Sequence, residues 1–357
     1  MNNEPIRFGI LGCANIARKM SASILATPGA SLRAIGSRSL EKAQSFAREA
    51  GLPVDVKVYG SYEGVLSDEK VDVVYIPLPT SLHLEWAVKA AEKKKHILIE
   101  KPPALAAEEL NTIISACENM GVQFMDCTMW MHHPRTAKVK EILKSKELFG
   151  DLQEVHAIFC VPMQAKSPGF FVENIRVSPQ LDALGALGDL GWYSIRGILW
   201  ANDYDLPASV TALPGTKFTT DGVITSCGAS FTWKDGRVAT FSCSFHADKN
   251  VRLVLYGNNG TLEMPGIDAE EFKLYGVSIF QDMDIGWSPD VTEFHIKTDV
   301  PQENLMVQRF SSLVKGIRDG SGVIDTHWAV IARKTQQLLD AVKLSIEHGC
   351  STMCIEA

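Results

Sequence analysis

Ile6-Arg7-Phe8-Gly9-Ile10-Leu11-Gly12-Cys13-Ala14-Asn15-Ile16-Ala17-Arg18-Lys19 reads as a buried strand, a tight turn and the start of a helix. The apolar run Phe8 to Leu11 is followed at once by Gly12, with small residues at Ala14 and Ala17 ahead of a helix-compatible segment. That order suits a dinucleotide pyrophosphate. Gly12 permits the sharp turn, a small residue at 14 lets the backbone approach the phosphates, and Ala17 lets the helix pack on the strand. The free N–H groups and dipole of the helix then face the anion, so Gly12, Cys13, Ala14, Asn15 and Ile16 are the candidate pyrophosphate contacts. Two of the three motif glycines are alanine here, and the stretch also reads as a plain βα corner. The residues that follow carry the argument further.

A helix to about Ala26 ends at Pro28-Gly29, and Ser31 to Gly36 forms a second strand. At the tip of that strand an NAD-binding domain usually carries an acidic residue for the ribose 2′-hydroxyl, whereas here stand Ser37 and Arg38. A carboxylate would repel a 2′-phosphate, while a hydroxyl and a guanidinium can donate to it, and Lys42 lies one helical turn on. NADP is therefore expected rather than NAD. The alternative is that Arg38 is a surface arginine beside a helix cap at Ser39. Strands and helices then alternate through Leu40–Ala50, Val54–Tyr59, a short helix from Ser61, and Val71–Ile76, which implies a parallel sheet covered on both faces.

After the fourth strand the loop Pro77-Leu78-Pro79-Thr80-Ser81-Leu82-His83 opens a helix at the carboxyl edge of the sheet. Pro79, Thr80 and His83 are candidate cofactor contacts there, with a helix cap and a half-buried helical histidine as the structural alternative. Helix Leu84–Lys95 leads to strand His96–Ile99 and then Glu100-Lys101-Pro102-Pro103. Lys101 at the carboxyl end of a parallel strand, stiffened by prolines, stands where a nicotinamide would lie. Pairing with Glu100 is the other reading. A strand Val122–Cys127 completes the sheet.

Composition bounds the rest. The 357 residues suffice for two domains, and the net charge of −7 gives no support for nucleic acid as a partner. The trio Lys93 to Lys95 reads as a solvated helix end. No apolar run approaches membrane-spanning length, and the N-terminus lacks a charged-then-apolar secretory pattern, so a cytoplasmic protein is expected. The eight cysteines stand mostly singly in apolar runs and read as reduced thiols, and no metal site is expected.

The motifs Gly12-x-Ala14-x-x-Ala17, Ser37-Arg38, Pro79-x-x-x-His83 and Glu100-Lys101-Pro102, in this order, resemble the N-terminal domain of the glucose-fructose oxidoreductase / inositol dehydrogenase / rhizopine catabolism (GFO/IDH/MocA) family. The likeness covers nearly the whole chain and is greatest to the branch of dimeric dihydrodiol dehydrogenase, D-xylose dehydrogenase and plant oxidoreductases. The resemblance implies an NADP-binding Rossmann domain over 1–129, a doubly wound parallel sheet. It implies a substrate-binding and dimerisation α+β domain over 130–357, with a large open antiparallel sheet and homodimers formed through it.

In that second half, alternating runs Leu152–Val161, Val223–Trp233, Arg237–Phe245, Val251–Tyr256 and Phe272–Phe280 read as antiparallel strands joined by hairpins. Helices over about Glu303–Arg318 and Trp328–His348 close the chain. Gly185 to Tyr193 reads as a helix start, which sets Asp189 and Tyr193 at i and i+4 on one face. By the resemblance Tyr193 is the general acid/base, Lys101 its electrostatic partner and Asp189 the group that orients them. A core aromatic is the alternative for Tyr193. Trp130, Trp192 and Arg176 are carried over as substrate contacts, with a structural ion pair as the alternative for Arg176. The implied activity is NADP-linked hydride transfer at a hydroxyl or carbonyl carbon of a sugar, dihydrodiol or related small molecule. An NADP-sensing regulator, an NAD-dependent glycosidase and an imine or carbonyl reductase share the same motifs.

Overall fold

A computed structural model of the chain describes residues 4–266, 269–276 and 290–355. Two compact units emerge: one of Met1–His132, Gln180–Asp182 and Val300–Arg333, the other of His133–Pro179, Ala183–Asp299 and Lys334–Ala357.

The first unit begins β1 (Ile6–Leu11), α1 (Asn15–Ala26), β2 (Ala30–Gly36), α2 (Leu40–Glu49), β3 (Lys57–Tyr59) and α3 (Tyr62–Leu66). It continues with β4 (Val73–Ile76), α4 (His83–Glu92), β5 (His96–Ile99), α5 (Ala107–Met120) and β6 (Phe124–Asp126). The strands lie in the order β3-β2-β1-β4-β5-β6, every neighbour parallel. Their sequence is why: β4 is four consecutive buried aliphatic or aromatic residues, which only a sheet covered on both faces can accommodate. Trp86, Ala87 and Ala90 of α4 and Leu110, Ile113 and Ile114 of α5 close one face over Ile76, Ile97 and Ile99. The order reverses between β1 and β4, which opens a crevice at the carboxyl ends of the strands.

The second unit holds α6 (Pro134–Leu143), β7 (Leu152–Cys160), the short α7 (Met163–Lys166) and α8 (Phe170–Glu173), and α9 (Trp192–Ala201). Then come β8 (Ser209–Ala212), β9 (Lys217–Phe218), β10 (Ile224–Thr232), β11 (Val238–Ser244), β12 (Asn250–Gly257), β13 (Gly260–Pro265), β14 (Glu271–Gly276) and β15 (Val291–His295). After them run α10 (Gln302–Arg318), α11 (His327–Glu347) and β16 (Met353–Cys354). The sheet follows β15-β14-β13-β12-β7-β11-β10-β8-β16, with β9 beside β10. It is largely antiparallel, but β7 and β11 run parallel, so hairpins do not account for all of it. The expected strand to Phe280 is observed to Gly276, and 277–280 lie outside the described residues. All of α9 is buried, as a helix apolar around most of its circumference must be. It lies on β7 and β11, where Val155, Ala157 and Phe159 alternate inward.

α10 belongs with the first unit, because its Met306, Val307, Phe310 and Val314 are buried and it lies against α1, β1 and β2. Lys95 also departs from expectation. Its ammonium is buried and donates to Asp68 O at 2.9 Å and Val71 O at 2.7 Å, and burial pulls its pKa down. No described helix is long and apolar enough to cross a membrane.

Candidate active site

At the end of β1, Gly12 takes φ +113°, and a Cβ there would stand 2.9 Å from Leu78 Cδ2. Its N–H donates to Gly36 O at 2.8 Å, tying the tips of β1 and β2 together. α1 starts with no capping side chain and no acid in its first turn. By contrast Ser39 and Ser61 cap α2 and α3, and α2 to α5 each carry a glutamate in the first turn. Among these five helices only α1 presents N–H groups that neither a cap nor a first-turn carboxylate of its own competes for, which suits an anion.

Beside this turn lies the tip of β2. Ser37 is buried and hydrogen-bonds the Cys13 thiol, whose pKa burial pushes up, so the thiol stays neutral. The charges of Lys42 and Arg18 also act on Cys13, which sets Lys42 near the turn. Arg38 is exposed and its guanidinium reaches the Tyr62 hydroxyl; burial raises that phenol and Arg38 only partly offsets it. Ser39 Oγ accepts from Lys42 N–H at 3.2 Å, capping α2. The tip Ser37-Arg38-Ser39 thus carries two hydroxyls and a cation and no carboxylate.

The loops after β4 and β5 are stitched to each other. His83 is buried, with Nδ1 3.1 Å from Pro102 O and Nε2 2.9 Å from Leu78 O. Burial pushes its imidazole down to about 4, outweighing both carbonyls, which favour the charged form. With its ring nitrogens facing a carbonyl of each loop, His83 staples the two loops together. Thr80 is also buried, and its hydroxyl donates to Asp182 Oδ1 at 3.3 Å while Ser81 N–H donates to Leu181 O at 3.2 Å. Glu100 accepts from the Tyr75 hydroxyl at 2.6 Å and from the Lys101 N–H at 3.3 Å. Lys101 is half-buried and its peptide bond to Pro102 is cis. Tyr75 and Asp182 were not picked out from sequence. The one signal for Tyr75 was a hydroxyl-bearing ring inside an aliphatic strand, and Asp182 had none.

In the second unit, Gly185 takes φ +54°, and a Cβ on it would fall 2.1 Å from Ile224 O. The chain then winds as a π-helix over Leu187–Gly191 before α9 begins, so the expected α-helical start is a wider turn. Asp189 is buried in it and accepts Arg176 Nη1 at 2.8 Å. Asn174 Oδ1 accepts from the Arg176 N–H at 3.0 Å, fixing the turn that presents the guanidinium. Tyr193 is 9% exposed, its ring 5.5 Å from that of Phe159.

Residues 6–126 match the family model described as oxidoreductase family, NAD-binding Rossmann fold, and residues 136–263 match the GFO/IDH/MocA C-terminal domain. This chain belongs to the GFO/IDH/MocA family. An uncharacterized oxidoreductase of Rhizobium meliloti is 30% identical over 354 residues, covering 96% of this chain and 98% of that one. A protein of Haloferax volcanii named D-xylose 1-dehydrogenase (NADP(+)) 2 is 31% identical over 72% of this chain and 74% of its own length. Among solved structures, levoglucosan dehydrogenase in complex with NADH and levoglucosan shares the fold with a TM-score of 0.82 at 18% identity, covering 99% of this chain and 100% of that one.

Within this GFO/IDH/MocA chain the three candidate substrate residues fare differently. Trp192 is fully buried, and the Arg196 guanidinium lies 5.1 Å from its ring centroid, which places it in the core. Trp130 is 4% exposed, which leaves little of its ring to stack on a sugar. Arg176 keeps a third of its side chain exposed while anchored to Asp189. Of the adjacent histidines, His132 stacks on Trp328 with ring centroids 4.8 Å apart, and His133 Nδ1 accepts from Arg135 N–H at 3.0 Å to cap α6.

Proposed function

We propose that the protein is an NADP(H)-linked dehydrogenase or reductase acting on a hydroxyl or carbonyl carbon of a sugar, dihydrodiol or related small molecule. The observation that carries the cofactor half is the uncapped, acid-free start of α1 beside Arg38 at the β2 tip and Lys42 in the first turn of α2. Gly12 to Ile16 would hold the pyrophosphate, and Ser37, Arg38 and Lys42 the 2′-phosphate. Pro79, Thr80 and Glu100 would border the nicotinamide end. The relative named for NADP-linked D-xylose oxidation supports the same choice of cofactor and substrate class.

When bound, a nicotinamide supplies or accepts the hydride. Tyr193 then moves the matching proton at the substrate oxygen, Lys101 favours its phenolate, and Asp189 holds Arg176 toward the substrate. The outer face of β7, β11 and β12, with Ile158, Thr240, Val254 and Tyr256, would join a second copy as a homodimer. Eight thiols without a disulfide suit a reducing, cytoplasmic setting.

A panel of aldoses, dihydrodiols and carbonyl compounds followed by NADPH absorbance tests this reading. Turnover with NADP(H) well above that with NAD(H) is expected. Tight NADPH binding with no turnover anywhere on the panel would favour a sensing regulator.

A further inference from the structure

We propose that Tyr75 is a positioning residue for the nicotinamide end of the cofactor site, its hydroxyl fixing the Glu100 carboxylate that receives the carboxamide N–H groups; this deepens the NADP(H) reading above and rests on it. Tyr75 is the one polar side chain of β4, Val73-Val74-Tyr75-Ile76, and it is fully buried. A phenol in such a strand loses the hydration of its O–H, so an acceptor has to be built for it. Strand alternation decides where that acceptor lies. Val74, Ile76, Ile97, Ile99 and Phe124 share the core on one face of the sheet, so Tyr75 turns to the other face together with Leu98, its partner across the β4–β5 pair. The same alternation, continued past the ends of β5 and β6, brings Glu100 and Cys127 to that face.

The hydroxyl donates to Glu100 Oε1 at 2.6 Å, the length of a charge-assisted O–H···O⁻ bond. Glu100 Oε2 accepts from the Lys101 N–H at 3.3 Å, and the buried Cys127 thiol hydrogen-bonds the same carboxylate. Burial and then the Glu100 charge push that thiol up, so it keeps its proton and donates. The backbone beneath is fixed as well: Glu100 N–H donates to Ile76 O at 3.2 Å and Cys127 N–H to Ile99 O at 2.8 Å. Donors from the ends of three adjacent strands thus converge on one half-buried carboxylate at the carboxyl edge of the sheet. An untethered glutamate samples several rotamers, whereas one pinned by a buried phenol keeps a single orientation. A fixed carboxylate selects N–H donors, and at the nicotinamide end of the cofactor the carboxamide is the group that carries them.

The test measures binding of NADPH and of 2′,5′-ADP, which keeps the 2′-phosphate and lacks the nicotinamide, to the full chain by calorimetry. Tyr75→Phe keeps the ring and deletes the hydroxyl; it should weaken NADPH by about fivefold or more and move 2′,5′-ADP by less than about twofold, because only a charge-assisted contact at the nicotinamide end is loosened. Tyr275→Phe removes the same kind of contact in the second unit, a hydroxyl 2.9 Å from Glu263 Oε2, and should move neither ligand. In Glu100→Gln the carboxylate is gone, so adding Tyr75→Phe should change NADPH affinity by less than about twofold. Unchanged NADPH affinity in Tyr75→Phe overturns the proposal, as do equal losses for both ligands or losses that multiply in the double variant. If circular dichroism shows Tyr75→Phe unfolded, Glu100→Gln carries the test, and equal effects on the two ligands there overturn the placement. Absence of turnover across the substrate panel with the selective NADPH loss intact would strike the oxidoreductase reading and leave Tyr75 standing, whereas a wild type that binds neither ligand removes both.

Discussion

Taking the protein from pH 7.5 to pH 5 charges ordinary exposed histidines but leaves His83 neutral, because burial pushes its imidazole down to about 4. The unfolded chain, with a histidine pKa near 6.5, binds that proton readily. Stability from this residue is therefore complete above about pH 6.5 and declines as the pH falls toward 4, where the difference levels off. At about 1.36 kcal/mol per pH unit, the fall from 6.5 to 5 removes about 2 kcal/mol. His96, held by burial at about 4 as well, follows the same course and adds to the wild-type slope. Asp72 acts in a lower window: burial raises it, but hydrogen bonds from Arg7 hold it below the ordinary carboxylate range.

His83→Leu separates the contribution of His83 from the others. At neutral pH it strands one carbonyl of Leu78 or Pro102 and should cost about 1–3 kcal/mol. Its stability should then fall less on acidification, by about 2 kcal/mol between pH 6.5 and 5. Urea unfolding followed by circular dichroism at several pH values measures both effects. Parallel pH profiles for wild type and variant, or an NMR titration placing the His83 midpoint near 6.5, would refute the reasoning.

Three further outcomes are expected. Arg38→Ala should weaken NADP binding by about tenfold or more, the loss of a charge-assisted hydrogen bond, and NAD binding far less; equal losses in a fluorescence titration would remove the case for 2′-phosphate recognition. Tyr193→Phe should lower kcat by about 10²-fold or more with cofactor affinity kept, and near-normal turnover would move the proton-transfer role elsewhere. Gly185→Ala should destabilise the second unit by about 2 kcal/mol or more, since the new Cβ meets the Ile224 carbonyl and the backbone has a positive φ; an unchanged thermal midpoint would contradict that.

The parallel half of the chain was legible because its signals are local. Val73 to Ile76 and His96 to Ile99 are short, mainly apolar runs bounded by loops, and Gly12 announces a turn that needs a positive φ. Partnerships between distant segments were not legible. The parallel pairing of β7 with β11 joins residues about eighty apart, and nothing in either strand's alternation distinguishes it from a hairpin. The same holds for Thr80 with Asp182, and for His83, whose sequence position allows equally a ligand contact or a buried staple.

Sequence alone thus determined the βαβ order, the absence of an acid at the second strand's tip and the family motifs, since periodicity and turn chemistry are properties of neighbouring residues. Only the tertiary structure decided that Trp192 is core, that Asp189 is committed to Arg176, and that the Tyr75 hydroxyl meets Glu100. Burial and pairing depend on which remote atoms fill the space around a side chain, and a linear pattern does not specify that neighbourhood.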